Sequence, residues 1–298
     1  MKKKIILTII WLFILPFHLF SQEKDTITWI ENDFPPVWIV KGSYKGTGGA
    51  QLIQNLLKKK LTGYNHRKIR TNVTRFRYMM KNKEKICDCA TFKTPDREKY
   101  MYFSAIPASF IMANGIITKK SSLHRFSDSP EISLNDTLKD KELILGVTSD
   151  RKFGDQIDTV LEKYKGSRNI YNRIAGDLTN GLVGMLIYDR VDYILGYDWE
   201  LQYLVKKFWS PKKAEGLIFL PLKETKPYLM SYIVCTKNEW GKKVINDINQ
   251  ILIREVPKKG YRNIWEQWMS NKKLYRKLYK DVYLKKISKM IFKNNVSS

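Results

Sequence analysis

Strand-like and helix-like segments alternate along this chain, and the alternation occurs in two successive blocks. In the first block, strands are predicted at residues 26–30, 66–73 and 86–92 from their β-branched and apolar content. Helices are predicted between them at residues 50–60 and 74–82. Alternation of this kind predicts a parallel sheet covered by helices.

A second block of the same kind begins after residue 118. Ser149 and Asp150 are expected to cap a helix that carries an apolar stripe from Phe153 to Tyr164. Two α/β lobes are therefore predicted, with chain crossings near residues 111–119 and 223–228. The other elements expected are strands at 143–147, 191–195, 217–222 and 228–236, and helices at 177–188, 198–206 and 238–256.

The N-terminal segment has the order of a secretory signal. Three lysines precede an apolar run at residues 5–20, and the small residue Ser21 closes it. The run is shorter than the ~20 residues of a membrane span, and an uncleaved anchor helix is the alternative. We expect residues 1–21 to be cleaved after about Ser21 and the mature protein to be periplasmic or extracellular.

The composition is strongly basic, with 54 Lys and Arg against 29 Asp and Glu and a formal charge of +25. In the cytoplasm this charge would suggest nucleic acid. An exported chain meets envelope surfaces and acidic solutes instead, so no nucleic-acid partner is expected. Residues 271–298 hold nine Lys or Arg and one Asp. They are predicted to form a basic amphipathic tail on an anionic envelope surface, or else a helix docked by its aromatic side or a partly disordered tail.

The order of these segments resembles the bacterial extracellular solute-binding proteins of family 3, the polar-amino-acid type. The resemblance implies an α/β fold of the type 2 periplasmic-binding-protein kind, with two lobes, a hinge and a central ligand cleft. Lobe I would be residues 22–117 plus 227–270, and lobe II residues 118–226. The matching runs are Phe34-Pro35-Pro36, Asp88 to Arg97, Tyr102-Phe103-Ser104, Arg190-Val191-Asp192 and Tyr261 to Trp268.

The resemblance also implies a function. It predicts an exported protein, not an enzyme, that captures a small anionic or zwitterionic, amino-acid-like solute for an ABC-type transporter or a sensor, without a cofactor or a metal. One alternative is an enzyme on the same fold, such as a dehydratase of a cyclic carboxylic acid using Asp198 or Glu200. Another is an envelope-binding protein that acts through its basic tail.

In the first lobe, the resemblance identifies Arg97 as the arginine that binds the ligand carboxylate. A guanidinium offers two parallel N–H donors to two oxygens, although a surface ion pair with a neighbouring acid is the alternative. Phe34 would cover the ligand and Asp33 would accept one of its donors, unless both only shape the loop. Thr91 and Thr94 would contribute polar contacts from the end of the third strand.

In the second lobe, Ser149 and Arg151 stand between a strand and a helix, where helix amides favour anions. The alternative is that Ser149 or its neighbour Asp150 only caps the helix. The family's carboxylate for the ligand ammonium would fall at Tyr197 or beside it at Asp198. If Asp198 only caps the next helix, the amino-acid assignment loses support.

The three cysteines are not predicted to bind metal, because the two histidines of the mature chain, His66 and His124, lie far apart in sequence. We expect buried thiols. In the resembling fold, the strand that carries Cys235 neighbours the strand that carries Cys87 and Cys89, which leaves a single bridge to Cys235 as the alternative.

Overall fold

The computed structural model describes residues 24–71, 73–126, 129, 131–149, 151–174, 179–209 and 216–296, with side chains at all of these except 73 and 291–296. The predicted signal segment, residues 1–21, lies outside the described residues. No described helix is both long enough and apolar enough to cross a lipid bilayer.

The secondary structure alternates as the sequence predicts. The strands are β1 (Thr26–Glu31), β2 (Asn65–Arg70), β3 (Ile86–Thr91), β4 (Met101–Phe103), β5 (Ser109–Met112), β6 (Asn114–Lys119), β7 (Leu145–Thr148), β8 (Ile170–Arg173), β9 (Tyr193–Tyr197), β10 (Leu217–Pro221) and β11 (Tyr228–Thr236). The helices are α1 (Gly49–Lys60), α2 (Val73–Lys81), α3 (Pro95–Glu98), α4 (Leu134–Thr137), α5 (Asp155–Lys163), α6 (Asn180–Ile187), α7 (Asp198–Phe208), α8 (Glu239–Glu255), α9 (Lys259–Glu266), α10 (Lys272–Leu278) and α11 (Lys285–Val296), with a 3₁₀ turn at Lys120–Arg125 and a π-helical turn at Tyr279–Leu284.

Lobe I is built on a six-stranded sheet with the order β2-β1-β3-β11-β4, in which β5 also pairs with β11. Strand β1 runs parallel to β2 and β3, whereas β11 is antiparallel to β3, β4 and β5. The side chains of Ile27, Trp29 and Ile30 in β1 are fully buried. A strand that is apolar on both faces lies between covering layers of helices, as the parallel alternation predicts.

Lobe II is built on a five-stranded sheet with the order β10-β6-β9-β7-β8. Strand β6 pairs with β9 and β10 along its whole length. The predicted boundary between residues 117 and 118 therefore falls inside a strand of lobe II. The first crossing between the lobes lies at Ala113, the one residue between β5 and β6.

The start of helix α5 differs from the prediction. The helix begins at Asp155 after Gly154, so Ser149 does not cap it. Gly154 has φ of +109°, a conformation that favours glycine. Asp150, the other predicted cap, lies outside the described residues. Residues 151–154 consequently form a loop, and the Arg151 side chain at its start is buried in lobe II.

A disulfide bond joins Cys87 in β3 to Cys235 in β11, where the two residues are register partners. Cys89 is a buried free thiol. The expectation of buried thiols is therefore corrected for two of the three cysteines, because antiparallel pairing places those two side chains face to face. The bridge spans 148 residues of sequence, which include all of lobe II.

The C-terminal segment docks on lobe I by its aromatic side. Tyr275, Tyr279 and Tyr283 are buried, and Tyr275 and Tyr283 donate to the carbonyl oxygens of Phe110 and Pro107. Four-residue spacing drifts by about 40° per step around an α-helix. The wider π-helical turn reduces that drift and keeps the three rings on one face.

We expect the double variant Cys87→Ala/Cys235→Ala to lose about 2–5 kcal/mol of unfolding free energy, because the bridge restricts a long loop in the unfolded chain. Denaturant titration measures the loss. Cys89→Ala is the matched control, since it removes a buried sulfur that forms no bridge. Thiol titration of the unfolded, unreduced protein should find one thiol, and three would contradict the bridge.

Candidate functional site

A cavity of about 210 Å³ lies between the lobes. Lobe I supplies most of its wall, from the loop after β1, strands β3, β5 and β11, and helix α9. Lobe II supplies the end of β9 and the start of α7. The lining residues are Asn32, Phe34, Val37, Trp38, Asp88, Ala90, Phe92, Ile111, Tyr197, Trp199, Ser231 and Trp265.

Trp199 carries the contact between the lobes at this cavity. Its ring stacks on Tyr197 at a centroid distance of 4.3 Å and meets Phe34 and Trp265 edge to face, each at 6.1 Å. Its indole N–H donates to the carbonyl oxygen of Met112, beside the crossing between the lobes, at 3.0 Å. A ring from lobe II is thus held by apolar and polar contacts with lobe I.

Trp265 closes the lobe I side of the cavity. Its indole N–H donates to the Ser109 hydroxyl at 3.0 Å. The ring lies so close to Gly49 at the start of α1 that a Cβ built there would be 2.5 Å from a ring carbon. Glycine at this position therefore sets how deeply the tryptophan enters the lobe.

Asp88 supplies the one carboxylate in the cavity wall, counting only the described residues that line it. The residue is 3% exposed. Its Oδ2 accepts hydrogen bonds from the Thr91 hydroxyl at 2.6 Å and the Ala90 amide at 3.0 Å. Its Oδ1 has no hydrogen-bond partner in the described part of the chain. Burial raises the pKa of this carboxyl, and the opposing effects of its hydrogen bonds and the charge of Arg97 are smaller.

The cavity wall is otherwise apolar and aromatic. None of the described residues that line it is Lys, Arg or His. Asn32 and Ser231 are the polar neutral members, and Asn32 Oδ1 is also buried with no hydrogen-bond partner among the residues that the structure describes. Among the described wall residues, a solute entering this space would meet rings and hydrogen-bond acceptors and no cationic side chain.

Arg97, the predicted carboxylate clamp, does not line the cavity. It lies in the short helix α3, where its Nη1 donates to the carbonyl oxygen of Phe92 at 2.7 Å. Partial burial is the main cause that lowers the pKa of Arg97. Thr94 is exposed and accepts from the Arg97 amide as the N-cap of α3. Thr91 is buried and bonds to Asp88 behind the cavity wall.

Of the predicted pair in the first loop, Phe34 lines the cavity and Asp33 does not. Asp33 is exposed, and its carboxylate lies 3.8 Å from the Lys41 ammonium. Ion pairs this exposed contribute little to stability. The strand-to-loop transition after β1 therefore turns one side chain inward and leaves its neighbour in solvent.

Arg151 is paired inside lobe II. Its Nη2 lies 2.7 Å from Glu200 Oε2, and both side chains are about 95% buried, with exposures of 5% and 6%. Thr179 bonds to both partners. Ser149 donates its amide to the Arg173 carbonyl oxygen and does not line the cavity. The charge expected to attract an anionic ligand is thus neutralised by a carboxylate of α7.

Tyr197 lines the cavity, and Asp198 faces away from it. Asp198 is the first residue of α7, and its Oδ2 accepts from the Ser270 amide at 2.8 Å. Burial raises the pKa of Asp198. Asp198, the predicted partner of the ligand ammonium, therefore connects the start of α7 to the backbone after α9 through a hydrogen bond. Neither carboxylate considered for an enzyme, Asp198 or Glu200, lines the cavity.

The sequence reasoning missed Asp88, Trp199, Trp265 and Trp38 as cavity residues. A signal for Asp88 was present, since a carboxylate stands in the middle of an otherwise apolar strand segment, ICDCATF. A buried charge in such a strand needs a partner or a function. No group of three or more potential metal-ligating side chains is found among the described residues.

No protein-family model and no curated protein matches the chain. Several solved structures, in contrast, superpose on the chain. The probable amino-acid ABC transporter extracellular-binding protein ytmK from Bacillus subtilis superposes with a TM-score of 0.61 at 14% identity, covering 83% of this chain and 98% of that one. An ancestral cationic amino acid solute-binding protein, AncCDT-1, gives 0.62 at 14% identity with coverages of 83% and 96%. The second substrate-binding domain of Lactococcus lactis GlnP, in an open conformation, gives 0.58 at 15% identity with coverages of 84% and 98%.

The chain has the two-lobed fold of the extracellular solute-binding proteins. The predicted fold class is confirmed by these superpositions, which extend over nearly the whole length of each similar structure. In this fold, the cavity described above occupies the interlobe position.

We expect Asp198→Asn to unfold at a higher temperature than the unmodified protein at pH 7. The side-chain amide of the variant can still accept the hydrogen bond from the Ser270 backbone amide. The substitution also removes a buried carboxylate, and burial raises the pKa of that carboxyl group. A raised carboxyl pKa contributes stability below the unfolded value of 3.8, and this stability is lost as the pH rises. The difference between the two proteins should therefore shrink as the pH falls toward 3.8. A difference in unfolding temperature that does not change with pH would contradict a raised carboxyl pKa at Asp198.

Proposed function

We propose that this protein is an exported solute-binding protein that captures a small solute between its two lobes. The observation that supports the proposal most directly is the cavity of about 210 Å³ with walls from both lobes, on a fold shared with amino-acid-binding proteins. A solute that contacts both walls stabilises the closed state by its contacts with the second wall.

The solute class we propose is amino-acid-like. One similar structure is described as binding cationic amino acids, and another belongs to a probable amino-acid transporter. Of the two charge types expected from the sequence, a simple anion has less support, because the described wall residues include no cationic side chain. A zwitterion or an amine can present an ammonium group to the Asp88 carboxylate.

The proposed partner is the membrane part of an ABC-type transporter or a membrane sensor. One of the similar structures, ytmK, is the extracellular-binding protein of a probable amino-acid ABC transporter. Export is part of the same proposal, and the disulfide between Cys87 and Cys235 supports it, since such bonds persist in oxidising compartments.

Native mass spectrometry of gently purified protein tests the proposal, because a bound solute of small mass should co-purify. We expect Trp199→Phe to reduce the affinity for that solute about tenfold, since it removes ring area and the N–H bond to Met112. Trp240→Phe is the control, since Trp240 lies in α8 outside the cavity wall. Equal affinity of both variants would place the solute elsewhere.

The basic tail supports a second candidate role, binding of an anionic envelope surface. Its tyrosines are used for docking on lobe I, so its outward face carries the charge. Asp281 is the one acidic residue on this exposed face. The exposed basic residues are Lys272, Lys273, Arg276, Lys277, Lys280, Lys285, Lys286 and Lys289.

Neutralising Lys273, Lys277 and Lys280 to Gln should weaken cosedimentation with vesicles that contain anionic lipid, by about a hundredfold at low salt, since each lysine near such a surface contributes about 1 kcal/mol before screening. The matched control neutralises Lys45, Lys59 and Lys242, which are exposed elsewhere on lobe I. An equal loss in both triple variants would indicate attraction by net charge alone, without a role for the tail.

A further inference from the structure

We propose that the carboxylate of Asp88 is the polar anchor of the interlobe site and that the solute is a small organic amine with an apolar body, bound as its ammonium ion. The inference rests on the proposed solute-binding function and specifies which chemical group of the solute is recognised. It replaces the expected arginine–carboxylate clamp with a carboxylate–ammonium contact.

The first observation is the unsatisfied carboxylate itself. Asp88 is 3% exposed and lines the cavity, and its Oδ1 has no partner among the described residues. Leaving a buried charged acceptor unpaired is costly, and buried charges are normally paired. The neighbouring hydrogen bonds from Ala90 and Thr91 reach Oδ2. Oδ1 therefore has room in its bonding for a further donor, and Asp88 is a lining residue of the cavity in which a solute would sit.

The second observation is the charge around the cavity. Arg97 already donates to the Phe92 carbonyl oxygen, and Arg151 is in a buried ion pair with Glu200. A solute carboxylate in the cavity would therefore lack a cationic partner in the wall and would approach the Asp88 carboxylate. Like charges in a site of low dielectric repel strongly. An ammonium group without an α-carboxylate avoids that repulsion.

The third observation is the shape and chemistry of the wall. Six aromatic rings surround the cavity, and aromatic faces attract ammonium ions while accepting an apolar body. The cavity volume is about 210 Å³. Alkylamines and arylalkylamines with one ammonium group fit this description. The rings are those of Phe34, Trp38, Phe92, Tyr197, Trp199 and Trp265.

Matched probes test the inference without any change to the protein. Isothermal titration calorimetry at pH 7 compares isoamylamine with L-leucine, which adds only the α-carboxylate, and with isoamyl alcohol, which lacks the charge. Phenethylamine and L-phenylalanine form a second pair. We expect at least one amine to bind, and to bind at least tenfold more tightly than its amino acid, with the alcohol weaker than the amine.

Variants then identify the anchor. Asp88→Asn should weaken amine binding at least tenfold, because an amide lacks the charge that strengthens the hydrogen bond. Asp155→Asn, at an exposed position in lobe II, is the charge-matched control and should leave binding unchanged. Arg97→Ala should change amine affinity less than threefold. Circular dichroism of each variant confirms that it is folded.

Two results would overturn the inference and leave the proposed function intact. The first is that the amino acids bind as tightly as the amines and lose affinity in Arg97→Ala. The second is that no amine binds although another small solute co-purifies in native mass spectrometry. If no probe binds and nothing co-purifies, both the amine assignment and the solute-binding function fail.

Discussion

The pairing of β11 with β3 is the constraint on which the rest of the structure depends. The chain leaves lobe I after β5, builds all of lobe II and returns through β11 into the centre of the first sheet. The disulfide between Cys87 and Cys235 fixes that return covalently. The same pairing places Val234 of β11 opposite Asp88, and Ser231 of β11 lines the cavity together with Asp88, so this part of the cavity wall forms only when the return strand is in register.

The two lobes meet through aromatic packing more than through charge. Trp199 joins Phe34 and Trp265 across the interface, and the principal apolar core is continuous between the lobes. The buried ion pair between Arg151 and Glu200 instead stays within lobe II. The described residues of the cavity wall include no cationic side chain, although the formal charge of the protein is +25.

Much of the fold could be predicted from the sequence, because it follows from local patterns. Strand β11 has the predicted bounds, and helix α1 differs from its prediction by one residue at its start. The strands β4, β5, β6 and β8 were not predicted from the sequence. The lobe boundary expected between residues 117 and 118 lies within β6.

The site was less predictable, because its chemistry depends on partners that are distant in sequence. Arg151 meets Glu200 across 49 residues, and Asp198 meets Ser270 across 72. Neither pairing has a local signature. Phe34 and Tyr197 were found because the resemblance marks them. Asp88 does have a local signature, because it is a carboxylate within an apolar strand. Its place in the proposed binding site, however, follows only from its burial and its hydrogen bonds in the structure.

A crystal structure of the protein with its co-purified or added solute tests the central claim most directly. We predict that the solute occupies the cavity between Trp199 and Trp265, with a nitrogen at about 3 Å from a carboxylate oxygen of Asp88. A solute carboxylate bound to Arg97, or a solute bound outside the interlobe cavity, would contradict the account.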